Sequence, residues 1–542
     1  MALLNQLLTK IAGLPRPEGK PPTLIKDIPA TMPDGVELLT DRYVPHGDTA
    51  ARGPVVMIRT PYGRSGILTR LQGWMMAAQG LQTVIQSTRG TFGSGGEFRP
   101  FHHEREDGIA TAEWLRQQPW CDGRLATAGA SYVGHTQWAV GPYLEPPLEA
   151  MCLAVTAANF VPNFYPGGAF AADDMVAWSA AIGRQEDRFS SWPNPAQAKR
   201  TQAAMRGLPL GNADLAAIGR RVQFLHDVTE HSDPTENYWA EKADHGQNIE
   251  ELTVPTTMVS GWYDLFVRSQ LEDFKRLQAA GRSTRLTVGP WNHGQPASVG
   301  IILNDQVSFL KAIFTADPAP LQRPPVRLYL QKADRWLDFE QWPPASTTQT
   351  RFLGADRSLS EQPTAAGSTA FSYSPDDPTP NIGGPLLASP AKQLDNAERE
   401  SRPDVLVFSS ERLATDLDVI GELQATVHLR ASNPLVDVFV RLCDVDEQGV
   451  SLNVCDGIIR LANDAEPEQI REATIQLDPT AYRFRSGHRL RVQISAAAWP
   501  RYDRNFGTGE SVATAQVGGP NRVEIFSGEK HPSKIELPIW TG

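Results

Sequence analysis

The residues of this chain most suited to chemistry lie in Gly129-Ala130-Ser131-Tyr132-Val133-Gly134, a serine among small residues. A short β-prone run, Leu125-Ala126-Thr127-Ala128, precedes it, and Thr136-Gln137-Trp138-Ala139-Val140 follows as a helix closed near Pro142. A serine at a sharp strand-to-helix turn has its hydroxyl lifted clear of the sheet, and the helix N-terminus aims amides at the same spot. Such a hydroxyl can act as a nucleophile with an oxyanion held beside it. The spacing departs from G-x-S-x-G, since Val133 stands where the last glycine would fall and Gly134 follows one residue later. On its own the segment is more often a mere tight turn, and the chemistry requires a base and an acid.

Two further strand ends supply them. Val254-Pro255-Thr256-Thr257-Met258-Val259-Ser260 reads as a buried strand emptying into Gly261-Trp262-Tyr263-Asp264. Arg285-Leu286-Thr287-Val288-Gly289 reads as another, emptying into Pro290-Trp291-Asn292-His293. Ser131, Asp264 and His293 thus each follow the C-terminal end of an expected strand, the edge of an open α/β sheet where ligands bind. Their order along the chain is that of α/β-hydrolases. One oxyanion donor is expected from the backbone N–H of Tyr132. The second is expected from the loop Thr60-Pro61-Tyr62-Gly63. There Pro61 has no amide hydrogen, and Tyr62 offers a hydroxyl. Phe266 follows Asp264 by two residues and is expected to face the same cavity.

The elements that must hold these residues divide the chain into segments. Residues 1–150 alternate turns, buried strands and helices as a mostly parallel sheet requires. Pro54-Val55-Val56-Met57-Ile58 and Gln82-Thr83-Val84-Ile85-Gln86 are two of those strands. Residues 151–250 turn helical and read as a cap inserted between the serine and its acid. Residues 251–346 complete the sheet domain. In 347–542 a Pro-, Gly- and Ser-rich stretch to about Ser401 precedes short alternating runs such as Val436-Asp437-Val438-Phe439-Val440. That is the pattern of a β-sandwich. The expected fold class is therefore α/β, with an inserted helical cap and a C-terminal sandwich.

Composition narrows the function classes. A formal charge of −11 with no basic stripe argues against nucleic acid or an anionic membrane as partner. No apolar run reads as a bilayer span. The leucine-rich Met1–Leu8 reads as a short amphipathic helix rather than a signal peptide. Cys121, Cys152, Cys443 and Cys455 are widely spaced and read as reduced and buried, so a cytoplasmic location is expected. No H-x-x-x-H or C-x-x-C spacing occurs, so no metal is expected. The glycines at 90, 93, 95 and 96 lack a following G-K-[ST] and read as a loop. Asp173 and Asp174 offer a site for a substrate amine, but adjacent acids there more often mark a solvated helix start.

Several motifs together resemble the cocaine-esterase and X-prolyl dipeptidyl-peptidase (CocE/NonD, peptidase S15-like) group of serine hydrolases, closest to its esterase branch. They run nearly end to end: Arg59-Thr60-Pro61-Tyr62, Ser87-Thr88-Arg89-Gly90, Ser131-Tyr132-x-Gly134, Gly261-Trp262-Tyr263-Asp264, Gly289-Pro290-Trp291-Asn292-His293 and Trp499-Pro500-Arg501-Tyr502-Asp503-Arg504-Asn505. The resemblance implies a jelly roll for the sandwich and a Tyr62 hydroxyl, rather than an amide, completing the oxyanion hole. It also implies that the segment around Trp178 presents an aromatic wall to substrate. The expectation is a cofactor-free hydrolase of small acyl esters working through an acyl-enzyme, with a small ester or amide as partner and a homodimer left open. Two alternatives stand beside it: an amide-cleaving acylase or X-Pro dipeptidyl-peptidase, and a silent binding scaffold with a vestigial triad. The dipeptidyl-peptidase branch usually carries a larger N-terminal extension, which weakens that reading.

Overall fold

The computed structural model describes the chain apart from residues 1–8, 11, 18–19, 188–193, 234–235, 241, 318–320, 388–390, 462–465 and 467–468. The leucine-rich run at positions 1–8 lies outside the described residues.

Ten strands build the first sheet: β1 (Thr23–Thr31), β2 (Glu37–Val44), β3 (Gly53–Thr60), β4 (Thr83–Ser87), β5 (Cys121–Ala130), β6 (Ala150–Ala154), β7 (Thr256–Tyr263), β8 (Thr284–Asn292), β9 (Val326–Leu330) and β10 (Arg335–Phe339). Their spatial order is β1-β2-β4-β3-β5-β6-β7-β8-β9-β10. Every neighbouring pair from β4 through β9 is parallel, while β1, β2 and β10 run antiparallel to their neighbours. Helices cover both faces, so the central strands are buried on both sides. Val55 to Ile58 of β3 and Thr256 to Gly261 of β7 are all buried.

Helices α1 (Ile67–Ala78), α2 (Glu104–Arg116) and α3 (Tyr132–Trp138) belong to the first half of the sheet. The insertion between β6 and β7 carries α4 (Val161–Phe164), α5 (Ala172–Ile182), α6 (Pro195–Arg206), α7 (Ala213–Ile218) and α8 (Gln223–Glu230). It starts later than the expected position 151, because Ala150–Ala154 is a fully buried sheet strand. That Ala-Met-Cys-Leu-Ala run has weak β-propensity and carries no strand signal of its own. The cap core is aromatic: Phe160, Phe164, Phe224 and Trp239 cluster with Phe101, Tyr132 and Phe266 of the sheet domain.

Two helices complete the sheet domain, α9 (Val267–Ala279) and α10 (Pro296–Thr315). At 20 residues α10 is long and apolar enough to match a bilayer span. A search for unbroken apolar runs misses it because Asn304-Asp305-Gln306 interrupts the pattern. Here it is a core helix whose Leu303, Val307, Phe309 and Leu310 pack against the sheet and whose Asp305 accepts a 2.6 Å hydrogen bond from Thr257.

Beyond residue 346 the chain forms two antiparallel sheets of seven and four strands. Val427 and Leu429 of the larger share one core with Val438, Val440 and Val492 of the smaller. The Pro-, Gly- and Ser-rich stretch is not strand-free: Thr347–Leu353 and Gly367–Tyr373 pair into the larger sheet. Both expose one face, so polar residues alternate through them and mask the apolar signal. Ile420 and Ala481 pack into the same cluster as Val326 and Leu328, joining the sandwich to the first sheet.

Candidate active site

Four strand ends converge. Tyr62 follows β3, Ser131 follows β5, Asp264 follows β7 and His293 follows β8. Ser131 Oγ lies 2.9 Å from His293 Nε2, and His293 Nδ1 lies 2.7 Å from Asp264 Oδ2. Asp264 is fully buried, and its other oxygen accepts the Phe266 amide at 2.8 Å, which fixes the carboxylate plane.

The strain of the elbow sits on the serine itself, at φ 59° and ψ −128°. Conformations of this kind cost on the order of 1–3 kcal/mol and persist only when the surroundings over-determine them. Here the Ser131 amide donates to Ala154 O at 2.9 Å. Its carbonyl accepts Gly134 N at 2.8 Å and Thr156 Oγ1 at 2.9 Å. The flanking glycines serve proximity rather than positive φ. A Cβ on Gly129 would lie 2.2 Å from Val133, and one on Gly134 would lie 2.4 Å from Thr156. The displaced glycine of the motif is thus the one that lets α3 approach the strand end.

Tyr132 is the first residue of α3, so its amide has no intrahelical acceptor and is available to an oxyanion. Its phenol is buried, donates to Glu104 Oε1 at 2.6 Å and accepts the Phe101 amide at 2.8 Å. Tyr62 is 37% exposed as a residue, and desolvation of its hydroxyl pushes its pKa up to about 12. The hydroxyl is therefore protonated at neutral pH, and Tyr62 lines the same pocket as Ser131. Trp178 Nε1 donates to it at 3.2 Å. An indole N–H only donates, so it occupies an acceptor position of Tyr62 and leaves the phenolic proton to point elsewhere.

His293 feels opposing effects. Burial disfavours its charge, but the Asp264 charge and hydrogen bond, with the Asp174 charge behind them, outweigh burial and raise its pKa above the usual imidazole value. Asp173 and Asp174 are not the solvated helix start that adjacent acids suggest. Burial pushes Asp174 up to about 6, and burial with the Asp174 charge pushes Asp173 up to about 7. The Leu387 amide donates to Asp174 at 2.8 Å.

Trp178 and Phe266 do line one pocket with Ser131, Tyr62 and Tyr132, a cavity of about 30 Å³. Phe101 lines it too, as does Leu387, from the segment between the sandwich strands Gly367–Tyr373 and Leu406–Ser409. A second space of about 1260 Å³ opens on the other side of Tyr62, between α5, α6 and the loops around Pro380 and Arg501. Glu104, Phe101 and Leu387 escape sequence reasoning because none follows a strand end on the catalytic edge. The one legible hint is the acidic start of α2 soon after the glycine-rich loop.

The chain resembles known hydrolases along most of its length. Residues 34–295 match the family described as X-Pro dipeptidyl-peptidase (S15 family), and residues 321–536 match the X-Pro dipeptidyl-peptidase C-terminal non-catalytic domain. The cocaine esterase of Rhodococcus sp. (strain MB1 Bresler) is 31% identical, over 95% of this chain and 98% of its own. An aminopeptidase from a marine sediment Thaumarchaeota archaeon superposes with a TM-score of 0.82 at 21% identity, over 97% of this chain and 98% of that one. An α-amino acid ester hydrolase superposes with a TM-score of 0.80 at 22% identity over the same shares. At such identities these two structures show the fold.

Proposed function

This chain belongs to the X-Pro dipeptidyl-peptidase (S15) family of serine hydrolases and is a serine ester hydrolase, and from that premise we propose how its own residues divide the reaction. Ser131 attacks the ester carbonyl while His293 takes its proton, and Asp264 holds the imidazole tautomer and steadies the imidazolium. The Tyr62 hydroxyl and the Tyr132 amide receive the oxyanion. His293 then protonates the departing alcohol, and water repeats the sequence on the acyl-enzyme. The observation that carries this reading is the pair of contacts at 2.9 Å and 2.7 Å that places His293 between Ser131 and Asp264.

Size assigns the two spaces. An apolar cavity of about 150 Å³ takes a benzene ring. The pocket at Ser131 measures about 30 Å³. It suits a short acyl group, and the 1260 Å³ cleft suits the alcohol. On this reading the aromatic residues expected to wall the substrate, Trp178 and Phe266, form a tight collar around the acyl group. A second reading, cleavage of amides from amine-bearing substrates, is supported by the Asp173 carboxyl in the cleft wall. We also read the sandwich as a jelly roll. Four buried free thiols support a cytoplasmic protein.

A fluorophosphonate should label Ser131 alone, and chromogenic acetyl esters should turn over faster than acetyl anilides of matched leaving group. Labelling at another serine overturns the nucleophile, and faster anilide cleavage favours the amide reading.

A further inference from the structure

Phe101 stands out by its backbone and by its position. Its φ is 73°, a conformation bulky residues rarely adopt. Its amide donates to the Tyr132 phenol at 2.8 Å, so the residue beside the nucleophile holds Phe101 in place. Phe101 is 3% exposed, and its ring centroid lies 5.0 Å from that of Tyr132, 5.5 Å from those of both Phe160 and Phe164, and 6.0 Å from that of Trp178. All of these line the Ser131 pocket. Phe101 thus stands where the aromatic core of the cap meets the pocket at Ser131.

We propose that Phe101 is the acyl-length gauge of this enzyme: its ring closes the pocket at Ser131 so that short acyl groups fit and aryl or long acyl groups do not. The inference rests on the assignment of that pocket to the acyl side. Removing the ring frees space contiguous with a cavity of about 30 Å³. The enlarged space moves toward the ~150 Å³ that accepts a benzene ring. Tyr132 remains in place through Glu104, so the oxyanion donor survives the change.

The test compares acetyl, butyryl and benzoyl esters of one phenol, and acetyl esters of three alcohols of increasing size. Phe101→Ala and Phe101→Gly are assayed beside the parent. Glycine adopts the positive φ of this position without strain. Ratios of kcat/KM between esters are read, because they do not depend on the folded fraction. The benzoyl-to-acetyl ratio is expected to rise about 10- to 100-fold in both variants, with the alcohol ranking unchanged. Ratios within about threefold of the parent in the acyl series, with the alcohol series also unchanged, overturn the gauge. A changed alcohol ranking with a constant acyl ranking overturns the pocket assignment instead.

Discussion

The two spaces that meet at Tyr62 differ in size, chemistry and origin. The pocket at Ser131 is about 30 Å³, largely aromatic, and made by the sheet edge and the cap with Leu387 of the sandwich. The cleft beyond is about 1260 Å³, carries Asp173, Arg184 and Arg501, and is made by the cap and the sandwich. The contrast teaches that the three segments do different jobs. On the proposed assignment, the sheet supplies the reacting groups, Phe101 of the sheet domain closes the acyl side together with the cap, and the sandwich forms the far wall of the alcohol side. Arg501 shows how firmly that far wall is held, since Asp456 and Asp478 of the sandwich both bind its guanidinium.

Changes to the shared reacting groups should erase the contrast altogether. Ser131→Ala and His293→Ala are each expected to lower kcat by roughly 10⁶, because triad members act as a unit. Asp264→Asn should cost about 10⁴ by disturbing the imidazole tautomer. All substrates should suffer alike, and chelators should have no effect. A variant that loses one ester and keeps another would place the deleted group in substrate binding.

Next come the groups that serve the oxyanion. Tyr62→Phe should lower kcat by about 10²–10³ with KM little changed. Trp178→Phe removes the N–H that turns the Tyr62 hydroxyl and should cost about tenfold, a positioning effect. In the Tyr62→Phe background the second change should cost little more, since the two act through one hydroxyl. Additive losses, measured in a double-mutant cycle, would show that Trp178 works independently of Tyr62.

Much of this site was legible as residue types at strand ends. Ser131, Asp264 and His293 each follow a buried strand, and burial on both faces makes such strands easy to read. The turn at Ser131 was also legible, though its glycines prove to serve packing against Val133 and Thr156. What escaped reading is what depends on long-range packing. Ala150–Ala154 becomes a strand only because β5 and β7 flank it. Glu104 and Phe101 meet Tyr132 from a loop and helix start that carry no catalytic signal. The volume of the acyl pocket is likewise a property of several rings in contact, and no segment encodes it alone.

Smaller effects separate the two spaces. Phe266→Ala, inside the collar, should reorder acyl esters of one alcohol by about tenfold, in the range of a methylene-scale fit. Asp173→Asn, in the cleft wall, should leave that order intact and weaken only alcohols or amides that carry an amine, a loss read in KM. If Asp173→Asn changes acyl preference, the spaces are not divided at Tyr62.

The finest test concerns the charge behind the base. His293 must be neutral to accept the Ser131 proton, so kcat/KM should fall as pH drops through its pKa. That pKa lies above the usual imidazole value. Asp264 and Asp174 both favour the imidazolium, burial opposes it, and Arg501 faces Asp174 from the sandwich side. Asp174 itself titrates at about 6, so above that pH it is ionised and its charge acts on His293. Asp174→Asn keeps the shape and an acceptor for the Leu387 amide while removing the charge. The neutral imidazole then persists to lower pH, and the acid limb of the kcat/KM profile should move down, with the plateau at alkaline pH little altered. Arg501, released from Asp174, would disfavour the imidazolium too and add to the downward shift. A limb that stays put would mean that solvent in the cleft screens the pair, and a limb that moves up would overturn the role given to the Asp174 charge.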